Sequence, residues 1–320
     1  MGAVSGTGTT YTLPNFHGEL FTVTPVDTPF LSLIGGINGA KVTHAKEFEW
    51  QTIDRRAGAV NNVVLEGQPA PTATNRSRAN VKNVTEIHQS KISVSYTRLG
   101  AVGQFGGVNV APEWDDFMED ELTLQTHAEL QSMAVDIEQS FLSGVYQLPA
   151  DNTTTRKTKG ILNAVTTNLD ANGGVNRAFT TALLDALLSQ MYTNGAPLDQ
   201  EHTVIMAGAA QSLALNNAYA TSSALSAPTR DRNIGGMAIK TITTIFGTFG
   251  AVLNRYMPAH QIAVVDLSVC YPVFMEIPQK GLLFVEELAR TGASRDFQLY
   301  GEVGLEFGPE TYHGILADLT

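Results

Sequence analysis

The chain carries little charge and almost no cysteine. Asp, Glu, Lys and Arg make up 16 % of its 320 residues, against about 25 % in an ordinary soluble domain. A charged surface keeps a soluble monomer apart from its neighbours. A chain this poor in charge is suited to covering much of its surface with other chains; a large enzyme with a neutral surface is the competing reading. Cys270 is the single cysteine, which excludes an internal disulfide or a thiolate cluster. Between Val269 and Tyr271 it reads as a small buried hydrophobe. No run comes near the about 18 continuous apolar residues of a membrane-spanning helix. Residues 1–20 lack the basic and apolar regions of a secretory leader, and Gly6 breaks a near-match to a myristoylation signal. The sequons at Asn75, Asn83 and Asn152 mean little without such a leader.

Catalytic and ligand motifs are missing as well. There is no Gly-x-Ser-x-Gly elbow and no His-Glu-x-x-His. The glycines around Gly35 and Gly39 precede Lys41, but Gly39 and Lys41 are not adjacent as a phosphate loop requires. The histidines, at 17, 44, 88, 127, 202, 260 and 313, form no pair at helical ligand spacing. Asp115/Glu119 and Asp116/Asp120 stand one helical turn apart. That spacing suits a divalent cation, but a solvated acidic face is the simpler reading. No catalytic residue, cofactor or metal site is assigned.

What the sequence does contain is a long helical pattern bounded by prolines. Pro112 sits at a first-turn position, Pro149 lies past the end, and no proline lies between them. The pattern predicts a spine helix over 113–146, about 50 Å long at 1.5 Å per residue. Its apolar residues fall on two lines. One holds Met118, Leu122, Leu130, Met133, Ile137 and Phe141; the other holds Phe117, Leu124, Ala128, Val135 and Leu142. Two lines predict two contact faces, with full burial inside one large domain as the alternative.

Shorter elements surround it. Thr28 and Pro29 predict the N-cap and first residue of a short helix ending at Gly35-Gly36. Strands are predicted at 46–54 and 91–97, with residues 66–78 between them devoid of strong apolar side chains. Together these form a hairpin-like excursion. Residues 159–265 read as an α/β region: a helix at 181–194, a strand at 202–206, a helix at 209–220, a loop at 221–236, and strands at 238–246 and 249–255. Residues 297–307 alternate as a half-buried strand, with Asp296, Gln298, Glu302 and Glu306 on the polar face.

Charge is segregated along the chain. The net charge of −11 argues against wrapping nucleic acid by phosphate neutralisation. Residues 41–98 nevertheless hold nine bases and five acids, while residues 99–155 hold ten acids and no Lys or Arg. Six of the acids, Glu113, Asp115, Asp116, Glu119, Asp120 and Glu121, crowd the start of the predicted spine helix. The helix dipole favours some of them there, but not six without a base nearby. The complementary bases are Arg55, Arg56, Arg76, Arg78 and Lys82. These two sets are the candidate subunit-interface residues. Pairing between chains, repeated around a ring, gives a closed assembly.

The order of parts carries a resemblance. An arm leads to Thr28-Pro-Phe-Leu-Ser-Leu-Ile-Gly-Gly36, then a long hairpin and a single spine helix. Lys159-Gly-Ile-Leu-Asn-Ala164 opens the α/β region, and strands close the chain. This resembles the major capsid protein of tailed bacteriophages, the Hong Kong 97 capsid fold. The resemblance implies an α+β fold with an N-terminal arm at 1–43 and an extended loop at 44–98. It implies a peripheral domain at 99–158 and 266–320, with the spine helix at about 113–146, and an axial domain at 159–265 whose loop 221–236 faces the capsomer centre. It further implies a homo-oligomer of hexamers and pentamers closing an icosahedral shell, assembled in the host cytoplasm and found in the virion. Implied partners are a separate scaffolding protein, a portal, a decoration protein and packaged double-stranded DNA bound without specificity; no membrane is involved. Some relatives weld subunits with lysine–asparagine isopeptide bonds, and no such site is matched here. A cellular nanocompartment shell of the same fold and a soluble enzyme with an unrecognised site are the alternatives.

Overall fold

The computed structural model describes residues 27–53, 58, 63–70, 72–73, 75–97, 121–221, 232–234, 237–290 and 292–320. The elements in chain order are α1 (Pro29–Leu33), β1 (Lys41–Thr43), β2 (Glu47–Ile53), β3 (Arg78–Val84), β4 (Glu86–Ser95), α2 (Glu121–Ser143), α3 (Ile161–Ala164), β5 (Leu169–Asp170), α4 (Thr181–Thr193), β6 (Thr203–Ala207), α5 (Ala209–Thr221), β7 (Arg232–Ile234), β8 (Met237–Thr244), β9 (Gly247–Leu253), β10 (Ile262–Asp266), β11 (Tyr271–Met275), β12 (Leu283–Glu287), β13 (Ser294–Glu306) and β14 (Gly314–Leu316). The mixture is α+β, as expected. Among the described residues no helix is long and apolar enough to cross a membrane.

The chain divides into two compact units. One contains the described residues of 89–133 and 285–299; the other contains 27–88, 134–284 and 300–320. The larger unit is built on a seven-stranded sheet of order β5-β14-β10-β6-β9-β8-β7. Its central strands β6 and β10 pair antiparallel from Ile262↔Ala207 to Asp266↔Thr203, and every residue of both is buried. Strands buried on both faces read as continuous apolar runs, and Val204-Ile-Met-Ala207 and Ile262-Ala-Val-Val265 are such runs. Helix α4 supplies Leu184, Leu187, Leu188 and Met191 at the i, i+3, i+4, i+7 spacing of one apolar face. These side chains join Ile205, Phe249, Ile262, Val264 and Leu316 in the core.

The predicted α/β elements fall within one or two residues of β6, α4, α5, β8 and β9. The expected loop 221–236 lies mostly outside the described residues, but it contains β7, which pairs antiparallel with β8. A second difference concerns the excursion. The antiparallel partner of β2 is β3, in the register Glu47↔Val84 to Ile53↔Arg78, and not the later strand at 91–97. That later stretch belongs to β4, which pairs with β13 in a second sheet of order β1-β11-β13-β12. Ile92 and Val94 are buried as the alternation predicts, whereas Tyr96 lies past the strand end and is exposed. The third difference is β13, which is not half-buried. Asp296 and Glu302, on its expected solvent face, are buried along with Leu299, Val303 and Leu305. Each carboxylate is paired: Glu302 accepts from Arg156 at 2.8 Å, and Asp296 meets Lys91 at 2.8 Å. Buried charges persist when they are paired in this way.

Of the predicted spine helix, residues 121–143 are described as α2, about 35 Å of rod; residues 113–120 lie outside the described set. The helix stops at Ser143 rather than Tyr146, at a crowded glycine. A Cβ on Gly144 would stand 2.5 Å from the carbonyl oxygens of Ser140 and Thr158. The Gly144 N–H still bonds Ser140 O, but its carbonyl accepts from Gly160 N instead of continuing the helix. Along α2, Met133, Ile137, Phe141 and Leu142 are buried. Leu124 and Val135 of the second line are half-buried, and Ala128 is exposed.

Candidate assembly interface

The β2–β3 hairpin is the element that carries the basic candidates, and its base is fixed by buried polar bonds. Asn83, fully buried, donates through Nδ2 to Leu305 O at 2.6 Å and Lys159 O at 3.1 Å. Its Oδ1 accepts from Lys159 N at 2.8 Å and Val84 N at 2.9 Å. Trp50 donates from Nε1 to Gly308 O at 3.0 Å and packs edge-on against Phe307 at 4.9 Å. Gly304 lies beneath the ring of Phe48, and a Cβ there would come within 2.7 Å of both that ring and Val84 O. Glu86, just past β3, accepts from Thr158 N at 3.0 Å and bonds His88 Nε2 at 2.8 Å. Burial pushes the Glu86 carboxyl up, but the bonds from His88, Ser140 and Thr158 together outweigh it and hold the group below its ordinary value.

Away from this base the hairpin is solvated. Gln51, Ile53, Arg78, Ala79 and Asn80 are exposed, and the cross-strand side chains pair with each other. Asn80 donates to Glu49 at 2.9 Å, Arg78 donates to Gln51 at 3.1 Å, and Lys82 meets Glu47 at 2.7 Å. The hydrogen bond and charge of Glu47 raise the Lys82 ammonium above its ordinary value. Arg76 is exposed. Arg55 and Arg56 lie outside the described residues, as do Glu113, Asp115, Asp116, Glu119 and Asp120. Glu121 opens α2, but its side chain is not among those described. Among the described residues, therefore, Lys82 is the basic candidate with an acidic partner, and that partner is on its own hairpin.

Two features are invisible to sequence reasoning. Val63, Val64 and Leu65, between the two strands of the hairpin, are 82, 71 and 75 % exposed. The run of three aliphatics is legible in the sequence; its exposure is not. The other is Glu138 on α2, buried with no solvent contact. Its carboxylate accepts from Phe30 N at 2.9 Å, Leu31 N at 2.7 Å and Asn254 Nδ2 at 2.6 Å. Thr28, the predicted N-cap of α1, makes no side-chain cap bond. Glu138 caps that helix from 108 residues away. Burial raises its carboxyl above the ordinary value, against the bonds from Leu31, Phe30 and Asn254.

Among the described residues no reaction centre is assembled. A cleft is lined by Lys46, Ile87 and residues 149–156; its Arg156 guanidinium is committed to buried Glu302, and its Asp151 carboxylate accepts from Thr153. No group of three metal-ligating side chains occurs among the described residues. Cys270 is buried, and burial beside Asp266 and Glu306 pushes its thiol far up. What the arrangement offers is a rigidly based, two-stranded platform with a solvated, charged and partly apolar outer part, suited to contact with another chain.

Comparison with known proteins agrees. No curated protein matches the chain. Among solved structures it is similar to a subunit of the cyanophage A-1(L) capsid, at 14 % identity and a TM-score of 0.68, over 98 % of this chain and 99 % of that one. The capsid of a native GTA particle matches at 16 % identity and a TM-score of 0.62, over 100 % and 99 % of the two chains. The SrpI encapsulin of Synechococcus elongatus PCC 7942 matches at 12 % identity and a TM-score of 0.54, over 94 % and 92 %. At these identities the likeness shows the fold, which is that of the Hong Kong 97-type shell proteins implied by the order of parts. The family model described as SU10 major capsid protein matches residues 3–320, and the chain belongs to that family.

Proposed function

We propose that this protein is the shell subunit of a phage head, assembling as hexamers and pentamers into a closed icosahedral particle around double-stranded DNA. The observation that carries this reading is the family match over residues 3–320, with a fold that follows capsid subunits from end to end. Its role is structural and not enzymatic. Residues 44–98 are the loop laid over a neighbouring subunit, and residues 113–121 are the acidic stretch offered to such a loop. The arm is 1–43, the peripheral domain 99–158 with 266–320, and the axial domain 159–265, with loop 221–236 at the capsomer centre. A separate scaffolding protein, a portal and a decoration protein complete the head, which forms in the host cytoplasm and ends in the virion.

The pairing at Lys82 refines the charge argument. Because Lys82 is engaged by Glu47 within its own hairpin, the arginines, and not Lys82, are the bases assigned to a neighbour's acids. Sedimentation of the purified chain tests the assembly reading. Particles of hundreds of copies are expected, and a monomer or dimer under all assembly conditions would sink it. The encapsulin likeness keeps the nanocompartment alternative in view. Extracted particle contents decide between the two: packaged DNA supports the head, and a protein cargo supports the compartment.

A further inference from the structure

We infer that Val63, Val64 and Leu65 form an apolar plug by which the β2–β3 hairpin seats on a second copy of this chain, and that this plug, not the loop's arginines, carries most of the affinity of that contact. The inference rests on the shell reading above and specifies its central contact.

Isolated apolar side chains at a surface are ordinary. Three in succession, 82, 71 and 75 % exposed on a hairpin whose base is pinned by Asn83 and Trp50, are not. The segment is also preorganised. Leu65 O accepts from Gln68 N at 3.2 Å, closing a turn in which Gly67 takes a φ of +81°. A glycine with positive φ at the third position of a four-residue turn fixes a type II geometry. Pro69 follows and limits the backbone further. The triplet is therefore presented beside a formed turn, which lowers the ordering cost of binding.

The occupant follows from the family and the composition. Every copy in a shell presents the same triplet, so a second copy is the partner held at high local concentration. A charged share of 16 % leaves broad uncharged surface on that copy to receive it. The arginines make a poorer anchor. Arg78 donates to Gln51 of its own hairpin, and both arginines are exposed on the single chain, so an ion pair with a neighbour must first displace that bond and the water around them. Such pairs contribute little and are screened by salt.

The test compares the full-length chain with the triple variant V63S/V64S/L65S and with R76E/R78E. Thermal unfolding of the unassembled subunit and the pelleted particle fraction are followed from low salt to about 1 M NaCl. The serine variant should unfold at the wild-type temperature, since the side chains it replaces are solvated, while its particle yield falls at least about tenfold. Wild-type yield should be nearly independent of salt, and R76E/R78E should lose less than the serine variant. Wild-type yield from the serine variant overturns the plug. So does a lowered melting temperature, which would make the triplet part of the subunit's own core, and so does wild-type assembly that collapses in high salt. A wild-type chain that forms no particles overturns the shell reading itself and the plug with it.

Discussion

Glu138 joins three segments that are distant in sequence: the start of α1, the middle of α2 and Asn254 after β9. Truncating it to alanine leaves two backbone N–H groups and one amide without an acceptor, and unsatisfied buried donors cost about 1–3 kcal/mol each at most partial relief. Glu138→Ala should therefore lower subunit stability by about 3 kcal/mol in chemical denaturation. The charge has its own signature. The folded-state value is raised above the ordinary 4.5, so the group's contribution is full below the unfolded value and is lost as pH rises through the folded one. Glu138→Gln, which cannot ionise, should remove that part of the pH dependence; an unchanged stability–pH curve would contradict burial of the charge. Cys270 gives a second residue-scale prediction. It is 1 % exposed with its thiol pushed far up by burial, so a maleimide should label it only in denaturant. Fast labelling of the folded subunit would contradict its position.

At the scale of elements, α2 ends where Gly144 lets its backbone meet Gly160 and Thr158. A methyl group there must displace two carbonyl oxygens, and overpacking of this kind costs about 1–3 kcal/mol. Gly144→Ala should destabilise the subunit by that amount, where the same change at an exposed helical glycine would stabilise it; neutral behaviour would mean the close approach is absent. The elements also show what the sequence could convey. Helix α4 was legible because its apolar residues keep helical spacing up to Asn194-Gly195, and β6 because it is a short apolar run. Strand β3 was not legible. In Arg78-Ala-Asn-Val-Lys-Asn-Val84 the two valines fall on opposite faces, and the strand is held by Asn83 bonding Leu305 and Lys159. No local pattern announces a contact across 222 residues. The cap of α1 by Glu138 was hidden for the same reason, and the solvent side of β13 was misjudged because Arg156 and Lys91 make burial of its acids affordable. Of the candidate interface, the segregation of charge was plain in the sequence, whereas the partnering of Lys82 with Glu47 and the exposure of residues 63–65 needed the fold.

For the whole molecule, the low charged share, the hairpin with its solvated outer part and the family match point to one role, a repeated shell unit. If the arginines steer and register the loop, R76E/R78E should slow assembly and make its rate less dependent on salt, with the folded subunit unchanged by circular dichroism; an identical assembly rate would remove them from the interface. The measurement that bears most directly on the role is electron cryo-microscopy of particles formed by this chain. Closed icosahedral shells of hexamers and pentamers, with the 44–98 loop of each subunit lying on its neighbour, are expected. Monomers or dimers alone, with or without the accompanying head proteins, or shells in which that loop touches only its own subunit, would contradict it.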